Sequence, residues 1–225
     1  MPEKGDLLIV GAGGLGREVL IWAQEISSEM RTWEARGFLN SISTALDGYD
    51  TALPIICDAL DFTCTGDEFL LCAIGDPHGR LKLCRNLIQR GARFISLIHP
   101  SAIVSKSACV GLGCIAATKV IIGSGAHIGA FVIILGSAAI GLDAVIGEGT
   151  TISAFSYVGD KAVIGERVFL GSHAIVMPGT IVGDGARIGA RTVVSGKVPA
   201  GATFFGIPGE MLADAACNSA ARMKQ

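Results

Sequence analysis

An aliphatic or small residue returns at every sixth position from Ile98 to Ala200 without a slip. The next position is often glycine, and a small or β-branched residue follows four places after each aliphatic residue. A period of six fits neither an α-helix nor a plain strand. It is typical of a hexapeptide β-solenoid, in which each hexad is a short strand followed by a corner. With three hexads to a coil, this stretch predicts a prism of about six coils.

The chain before Ile98 has a different pattern, in which apolar runs alternate with helical segments. The runs lie at 7–10, 35–39, 69–74 and 94–98, and the helices at 17–25 and 81–90. This alternation predicts a small α/β domain with a parallel sheet. We therefore expect an α/β domain over residues 1–97 and a parallel β-helix over 98–209. Residues 210–225 would form a tail that is either a short helix or frayed.

The first apolar run leads into a glycine-rich turn, Gly11-Ala12-Gly13-Gly14-Leu15-Gly16. This G-x-G-x-x-G pattern, between a strand and a helix, directs backbone N–H groups at a phosphate. The acidic residue that binds the ribose of NAD would follow about twenty residues later, but the second strand ends at Asn40-Ser41. A nucleotide site and a purely structural turn both stay open. An NAD-dependent oxidoreductase is set aside, because no substrate domain follows either.

Composition narrows the function further. The net charge is −2 and like charges do not cluster, so we expect neither nucleic acid nor a membrane surface as partner. We predict no membrane span and no signal peptide. Seven cysteines without a C-x-x-C spacing argue against disulfides or a cysteine zinc site and favour the cytoplasm. Cys114 falls on an inward position and is expected to be an apolar filler.

The histidines of the repeat give no reason to expect a metal. A β-helix enzyme with a zinc centre would need three convergent histidine ligands. His99, His127 and His173 occupy different positions in their hexads. We therefore predict that the protein uses no metal.

Three features together carry a family resemblance: the α/β domain that opens with GAGGLG, the joint Ile98-His99-Pro100-Ser101-Ala102-Ile103, and unbroken hexads that end in Gly206-Ile207-Pro208. The chain resembles the nucleotide-aminosugar N-acetyltransferases and sialic acid O-acetyltransferases over about residues 5 to 212. The resemblance implies a left-handed β-helix that uses acetyl-CoA. It also implies a homotrimer, with a nucleotide-linked sugar on the N-terminal domain and the coenzyme in the crevice between neighbouring prisms.

The resemblance also assigns binding residues. The site for the nucleotide-linked sugar falls on Gly13, Gly14, Leu15, Asn40, Ser41 and Gly75. The acetyl-CoA site falls on Thr151, Ser172 and Ala190.

The family's catalytic hexad, I-x-H-[D/E], aligns with Ile140-Gly141-Leu142-Asp143, so leucine replaces the histidine base. Leu15 and Thr151 also stand where the family often has histidine, and Leu135 where it can have asparagine. Asp143 is a candidate catalytic residue that accepts a proton or orients the amine; otherwise it is a solvated corner residue. His173, beside Ser172, is the rival candidate; otherwise it lies at a corner or a subunit interface.

The missing histidine affects the choice of acceptor. An amine with a lowered pKa is partly neutral near pH 7 and attacks a thioester unaided, whereas a hydroxyl depends more on a general base. We therefore predict an acetyl-CoA-dependent N-acetyltransferase acting on a nucleotide-linked amino sugar. The alternatives are an O-acetyltransferase for sialic acid or a related sugar, and a non-catalytic homologue that binds a nucleotide sugar. Aromatic residues on the outer faces of the prism predict burial between subunits: Phe131, Phe155, Tyr157 and Phe169.

Overall fold

The computed structural model describes residues 5–206 and the backbone of the strand Glu210–Leu212. Its first part is a five-stranded sheet flanked by two helices, α1 (Gly14–Glu25) and α2 (Pro77–Gln89). The strands are β1 (Gly5–Val10), β2 (Trp33–Leu39), β3 (Ile55–Cys57), β4 (Glu68–Cys72) and β5 (Arg93–Phe94). Their order is β3-β2-β1-β4-β5, and all pairings are parallel. The predicted α/β fold with a parallel sheet is confirmed.

Helix α2 begins four residues before its predicted start at Leu81. Asp76 is the N-cap, and its side chain accepts a hydrogen bond from the Gly79 N–H at 2.7 Å. Pro77 follows in the first turn, where its missing N–H costs nothing. Asp-Pro is therefore a helix start here, and Arg80 lies in the first turn of the helix.

The rest of the chain is a solenoid of short strands. They are β6 (Leu97–Ile98), β7 (Ile103–Val104), β8 (Cys109–Val110), β9 (Ile115–Ala116), β10 (Ile121–Ile122), β11 (His127–Ile128), β12 (Ile133–Ile134), β13 (Ala139–Ile140), β14 (Val145–Ile146), β15 (Thr151–Ile152), β16 (Tyr157–Val158), β17 (Val163–Ile164), β18 (Phe169–Leu170), β19 (Ile175–Val176), β20 (Ile181–Val182), β21 (Arg187–Ile188), β22 (Val193–Val194), β23 (Lys197–Val198), β24 (Thr203–Phe205) and β25 (Glu210–Leu212).

These strands stack into three sheets that run along the prism. Sheet 1 holds β6, β9, β12, β15, β18, β21, β24 and β25; sheet 2 holds β7, β10, β13, β16, β19 and β22; sheet 3 holds β8, β11, β14, β17, β20 and β23. Through most of the prism each strand pairs in parallel with the strand 18 residues further on, as Ile122 does with Ile140. The predicted β-helix of about six coils is confirmed.

The C-terminal end differs from the prediction. Strand β25 pairs antiparallel with β24, so residues 210–212 are neither a helix nor frayed. Residues 207–209 and 213–225 lie outside the described residues, and the predicted tail is otherwise not described.

The inward positions of the hexads form the core of the prism. Ile122, Ile140 and Val158 are buried one above another. Cys114 is also buried, and burial raises the pKa of its thiol to about 11, as expected of an apolar filler. A Cβ on Gly147 would lie 2.4 Å from the carbonyl carbon of Gly165 in the next coil. Glycine at this position thus lets successive coils stack closely.

The α/β part packs on the outer face of sheet 1. Ile115 and Ile133 point outward from the prism but are fully buried in a core that they share with residues of the α/β part. Phe131 is 3% exposed and packs edge-on against Phe94, with ring centroids 5.1 Å apart. The expectation that Phe131 lies on a subunit surface was wrong, because the same chain covers it.

The close stacking at Gly147 can be tested. Gly147→Ala should lower the free energy of unfolding by about 3 kcal/mol, because the new methyl group overlaps backbone that has no room to move. Gly179→Ala is the control: it meets open space and should cost only about 1 kcal/mol for its left-handed backbone. Urea denaturation measures both values. Equal losses would contradict the stacking argument.

Candidate functional site

One corner of the prism, where the chain passes from sheet 1 to sheet 2, lies beside α1. We call it the corner ridge. Its outermost residues recur every 18 positions, and five of them have a left-handed backbone: Ser101, Lys119, Ser137, Phe155, His173 and Arg191. Each comes from a different coil. The ridge is therefore a column of side chains that runs along the prism from its N-terminal end.

His99 fixes α1 against the first coil of this ridge. It is buried, and its Nδ1 accepts a hydrogen bond from the Ser101 N–H at 3.0 Å. The proton of the neutral ring is then on Nε2, which donates to the carboxylate of Glu25 at the end of α1. The helix is thus held beside the ridge at its C-terminal end.

A cavity of about 480 Å³ opens between α1 and the ridge; we call it the junction cavity. Helix α1 contributes Leu15, Glu18 and Trp22, and the prism contributes Thr118, Leu135, Gly136, Ser137, Ala154 and Phe155. The lining is mostly apolar, and Glu18 is its one charged side chain. Such a cavity suits a small ligand with both apolar and polar groups.

The glycine turn lies at the other end of α1. A Cβ on Gly16 would lie 2.0 Å from the carbonyl oxygen of Gly11, so only glycine allows this close turn. Gly13 and Gly14 instead face open space, and Gly13 caps the helix without a side-chain hydrogen bond. Their surroundings leave room for an anion at the N-terminus of α1.

The side chain of Asn40 forms a hydrogen bond with the glycine turn. Its Oδ1 accepts a hydrogen bond from the Ala12 N–H at 3.2 Å, and its Nδ2 donates to the Ile42 carbonyl at 2.9 Å. Ser41 beside it is exposed. Asn40 therefore ties the loop after β2 to the glycine turn, and Ser41 is the freer of the two for a ligand.

A second cavity, of about 580 Å³, lies on the opposite side of α1 against the loop between β2 and β3; we call it the loop cavity. Gly14 and Glu18 border it, and the Arg17 guanidinium lies 3.5 Å from the ring centroid of Tyr49. The N-terminal half of α1 thus separates two cavities, and Glu18 borders both.

Arg80 joins α2 to the prism and is fully buried. Its Nε donates to the Phe131 carbonyl at 2.9 Å, and its Nη1 donates to the Ile74 carbonyl. Its Nη2 donates to the Gly149 carbonyl at 2.6 Å and to the Thr151 hydroxyl at 2.9 Å. Burial lowers the pKa of this guanidinium from its ordinary value. Arg80 thus lies on α2 and directs its guanidinium at the prism.

Thr151 belongs to the same junction. It is 2% exposed, and its hydroxyl donates to the Gly75 carbonyl at 2.9 Å. Within this chain the Thr151 hydroxyl and the Gly75 carbonyl are therefore occupied by each other. A contact of Thr151 with acetyl-CoA remains a prediction from the resemblance, without support from its surroundings here.

The two candidate catalytic residues lie at different corners. His173 is on the corner ridge and stacks on Phe155, with ring centroids 5.0 Å apart and planes at 20°. Asp143 is at the corner between sheets 2 and 3, where its N–H donates to the Ser124 carbonyl. One chain thus places His173 against Phe155, a wall residue of the junction cavity, and leaves Asp143 outside the lining of that cavity.

The three predicted coenzyme residues also lie in different places: Thr151 is at the junction with Arg80, and the other two are on the corner ridge. Ser172 and Ala190 are exposed on two successive coils of the corner ridge, immediately before His173 and Arg191 in the sequence. Leu142, at the position of the family's histidine, is 50% exposed beside Asp143.

Sequence reasoning missed Glu18 and Trp22. The signal was present, because Glu18 follows Leu15 by three residues and Trp22 follows Glu18 by four, so all three share one helix face.

Among the described residues, no three His, Cys, Asp or Glu side chains are grouped to bind a metal ion. Neither helix of the described region has the length and apolar character of a membrane span.

Known proteins share this architecture. The model of the bacterial transferase hexapeptide family, which has six repeats, matches residues 143–176 and 161–196. Residues 143–196, in the C-terminal half of the solenoid, are thus similar to the bacterial transferase hexapeptide repeat. A search of curated proteins gave no match for this hexapeptide-repeat chain.

Solved structures resemble the hexapeptide-repeat chain over nearly its whole length. PerB from Caulobacter crescentus, in complex with CoA and GDP-perosamine, is 28% identical with a TM-score of 0.84, covering 93% of this chain and 98% of PerB. The acetyltransferase domain of PglB from Neisseria gonorrhoeae, in complex with acetyl coenzyme A, is 27% identical with a TM-score of 0.84, covering 93% of this chain and all of that domain. These matches confirm the predicted family resemblance.

A third structure, WeeI from Acinetobacter baumannii, shares the fold at 22% identity. Its TM-score is 0.68, with 92% of this chain and 99% of WeeI covered.

The junction at Arg80 gives a testable prediction. Arg80→Lys keeps the charge but not the planar fork of donors, so several buried carbonyl groups lose their partners. We expect the free energy of unfolding to fall by about 3 kcal/mol. Arg85→Lys on the same helix is the control, because Arg85 is half exposed and forms a single ion pair with Glu148. Thermal and urea denaturation of both variants would check this; equal effects would contradict it.

Proposed function

We propose that this protein is an acetyl-CoA-dependent N-acetyltransferase that acts on the amino group of a nucleotide-linked amino sugar. The observation that carries the proposal is the junction cavity, which lies between the helix of the glycine turn and the corner ridge. A diphosphate at Gly13 and Gly14 would leave its sugar within reach of this cavity. PerB, crystallised with CoA and a GDP-linked sugar, supports the same pairing of ligands.

In this proposal the coenzyme lies along the ridge past Ser172 and Ala190, where Lys119 and Arg191 offer positive charge to its phosphates. The amine lone pair attacks the thioester carbonyl and forms a tetrahedral oxyanion. Collapse breaks the C–S bond and releases the CoA thiolate, and the nitrogen loses its proton. His173, stacked on the wall of the cavity, is the residue of this chain best placed to take that proton.

A homotrimer is part of the proposal. Sheet 2 presents a stripe of apolar side chains, one from each coil, that includes Ile103, Ile121, Tyr157 and Ile175. Packing of this face against a neighbouring prism would cover the stripe. It would also allow the Asp143 corner of one subunit to approach the ridge of another. We further propose a cytoplasmic location, which agrees with the free thiols of the six cysteines that the structure describes.

A non-catalytic homologue that binds a nucleotide sugar is the second candidate. The exposed Leu142 favours it, because this side chain cannot take a proton where the family has its base. An O-acetyltransferase for sialic acid has less support, since a hydroxyl acceptor needs that base more than an amine does.

The proposed reaction is tested by the release of free CoA thiol. Acetyl-CoA is mixed with the protein and a panel of GDP-, UDP- and dTDP-linked 3-amino and 4-amino sugars, with sialic acid as the hydroxyl control. We expect turnover with an amino sugar and none with sialic acid. Binding of an amino sugar without turnover would instead identify the non-catalytic homologue, and turnover of sialic acid alone the O-acetyltransferase.

The two candidate catalytic residues can be separated with the same assay. If His173 takes the proton, His173→Ala should lower kcat about 100-fold, the lower range for loss of a general base. Asp143→Asn should lower kcat about tenfold if its corner completes the site of a neighbouring subunit. The affinity for acetyl-CoA, measured by calorimetry, should stay within about twofold in Asp143→Asn. An unaltered kcat would remove the residue concerned from the mechanism.

A further inference from the structure

Glu18 is the one charged side chain in the lining of the junction cavity. In the described part of the chain it forms neither an ion pair nor a side-chain hydrogen bond, whereas Glu25 on the same helix is engaged by His99. Its neighbours on the helix face, Leu15 and Trp22, are apolar and give it no charged partner. The carboxylate is thus available to a ligand that enters the cavity.

The side chains that line the cavity determine which kind of ligand would bind there most tightly. Leu135, Ala154 and Phe155 offer apolar contact, and Thr118 and Ser137 offer hydroxyl groups. Glu18 is exposed in the free protein, and its attraction for a cation strengthens when a bound sugar excludes water between the carboxylate and the apolar walls. A sugar with a protonated amino group therefore gains from Glu18, and the same sugar with a hydroxyl at that position gains much less.

The position of Glu18 along α1 agrees with this role. It lies one helical turn beyond Gly14 and Leu15, and it borders both the junction cavity and the loop cavity. A diphosphate at the N-terminus of the helix would place the attached sugar next to this carboxylate. Phe155, with His173 stacked on it, forms the opposite wall.

From these observations we propose that Glu18 binds the ammonium group of the acceptor and thereby selects amino sugars over their hydroxyl counterparts. This inference rests on the proposed function, because it assigns the acceptor sugar to the junction cavity. Glu18 acts through a direct ionic contact and orients the nitrogen toward the ridge. The bound ammonium first gives one proton to water, because only the neutral amine can attack. The amine then forms the C–N bond as the thioester C–S bond breaks, a second proton leaves the nitrogen, and the CoA thiolate takes up one proton on release as the free thiol.

The test compares Glu18→Gln with the native protein. Calorimetry measures the binding of GDP-, UDP- and dTDP-linked 4-amino-4,6-dideoxy sugars, each alongside its 4-hydroxy counterpart. We expect the native protein to bind one amino sugar about tenfold more tightly than its counterpart. Glu18→Gln, which keeps the shape of the side chain, should abolish this preference by weakening only the amino sugar.

Glu29→Gln is the matched control, since Glu29 is an exposed carboxylate shortly after α1 and outside both cavities. It should leave both affinities unchanged. A second readout is steady-state kinetics, in which Glu18→Gln should raise the KM for the amino sugar about tenfold and leave the KM for acetyl-CoA unaltered.

The outcomes separate this inference from the proposed function. If Glu18→Gln weakens both sugars equally, or leaves the preference intact, the inference is overturned while turnover by the native protein still supports the proposed function. If the preference disappears as expected but the native protein releases no CoA, Glu18 keeps its binding role and the proposed reaction fails. If the native protein binds no sugar of the panel, both are overturned.

Discussion

The buried guanidinium of Arg80 is the contact on which the arrangement of the two parts depends. Among the described residues it has no carboxylate partner within hydrogen-bonding distance. It is held by a carbonyl group just after β4, by carbonyl groups of the prism and by the Thr151 hydroxyl. A buried charge is tolerated only when its donors are satisfied. If α2 moved away from the prism, the guanidinium would lose these hydrogen bonds while still buried, which is unfavourable. The junction therefore has one favourable geometry.

The candidate site inherits its geometry from that junction. Helix α1 is fixed at its end by the contact between Glu25 and His99, and the sheet that carries it is fixed through Arg80. The glycine turn, the junction cavity and the corner ridge are consequently held in one frame. A site built on rigid elements positions its groups more precisely than a site on loops.

The sequence revealed those features that depend on local repetition. The conformation of a hexad depends only on its own residues and on the neighbouring coils. The hexad register from Ile98 onward could therefore be predicted from the sequence, as could the glycine turn at Gly11. The surroundings of Arg80, Phe131 and Glu18 could not be predicted, because the residues that contact or face them come from distant segments of the chain. For Phe131, packing of the chain on itself buries the outer-face position that the hexad pattern alone indicated. His173 and Asp143 were found as residues, but their separation at different corners required the three-dimensional coil.

The corner ridge also shows how the length of the surface along the prism can change between related proteins. Its residues stand 18 positions apart, and successive coils rise by roughly 4.8 Å. Gain or loss of one whole coil beyond Phe155 would lengthen or shorten the ridge by that step and leave the junction cavity untouched. Evolution can therefore adjust the length of the surface offered to a long, flexible coenzyme in fixed increments, independently of the pocket that would recognise the sugar.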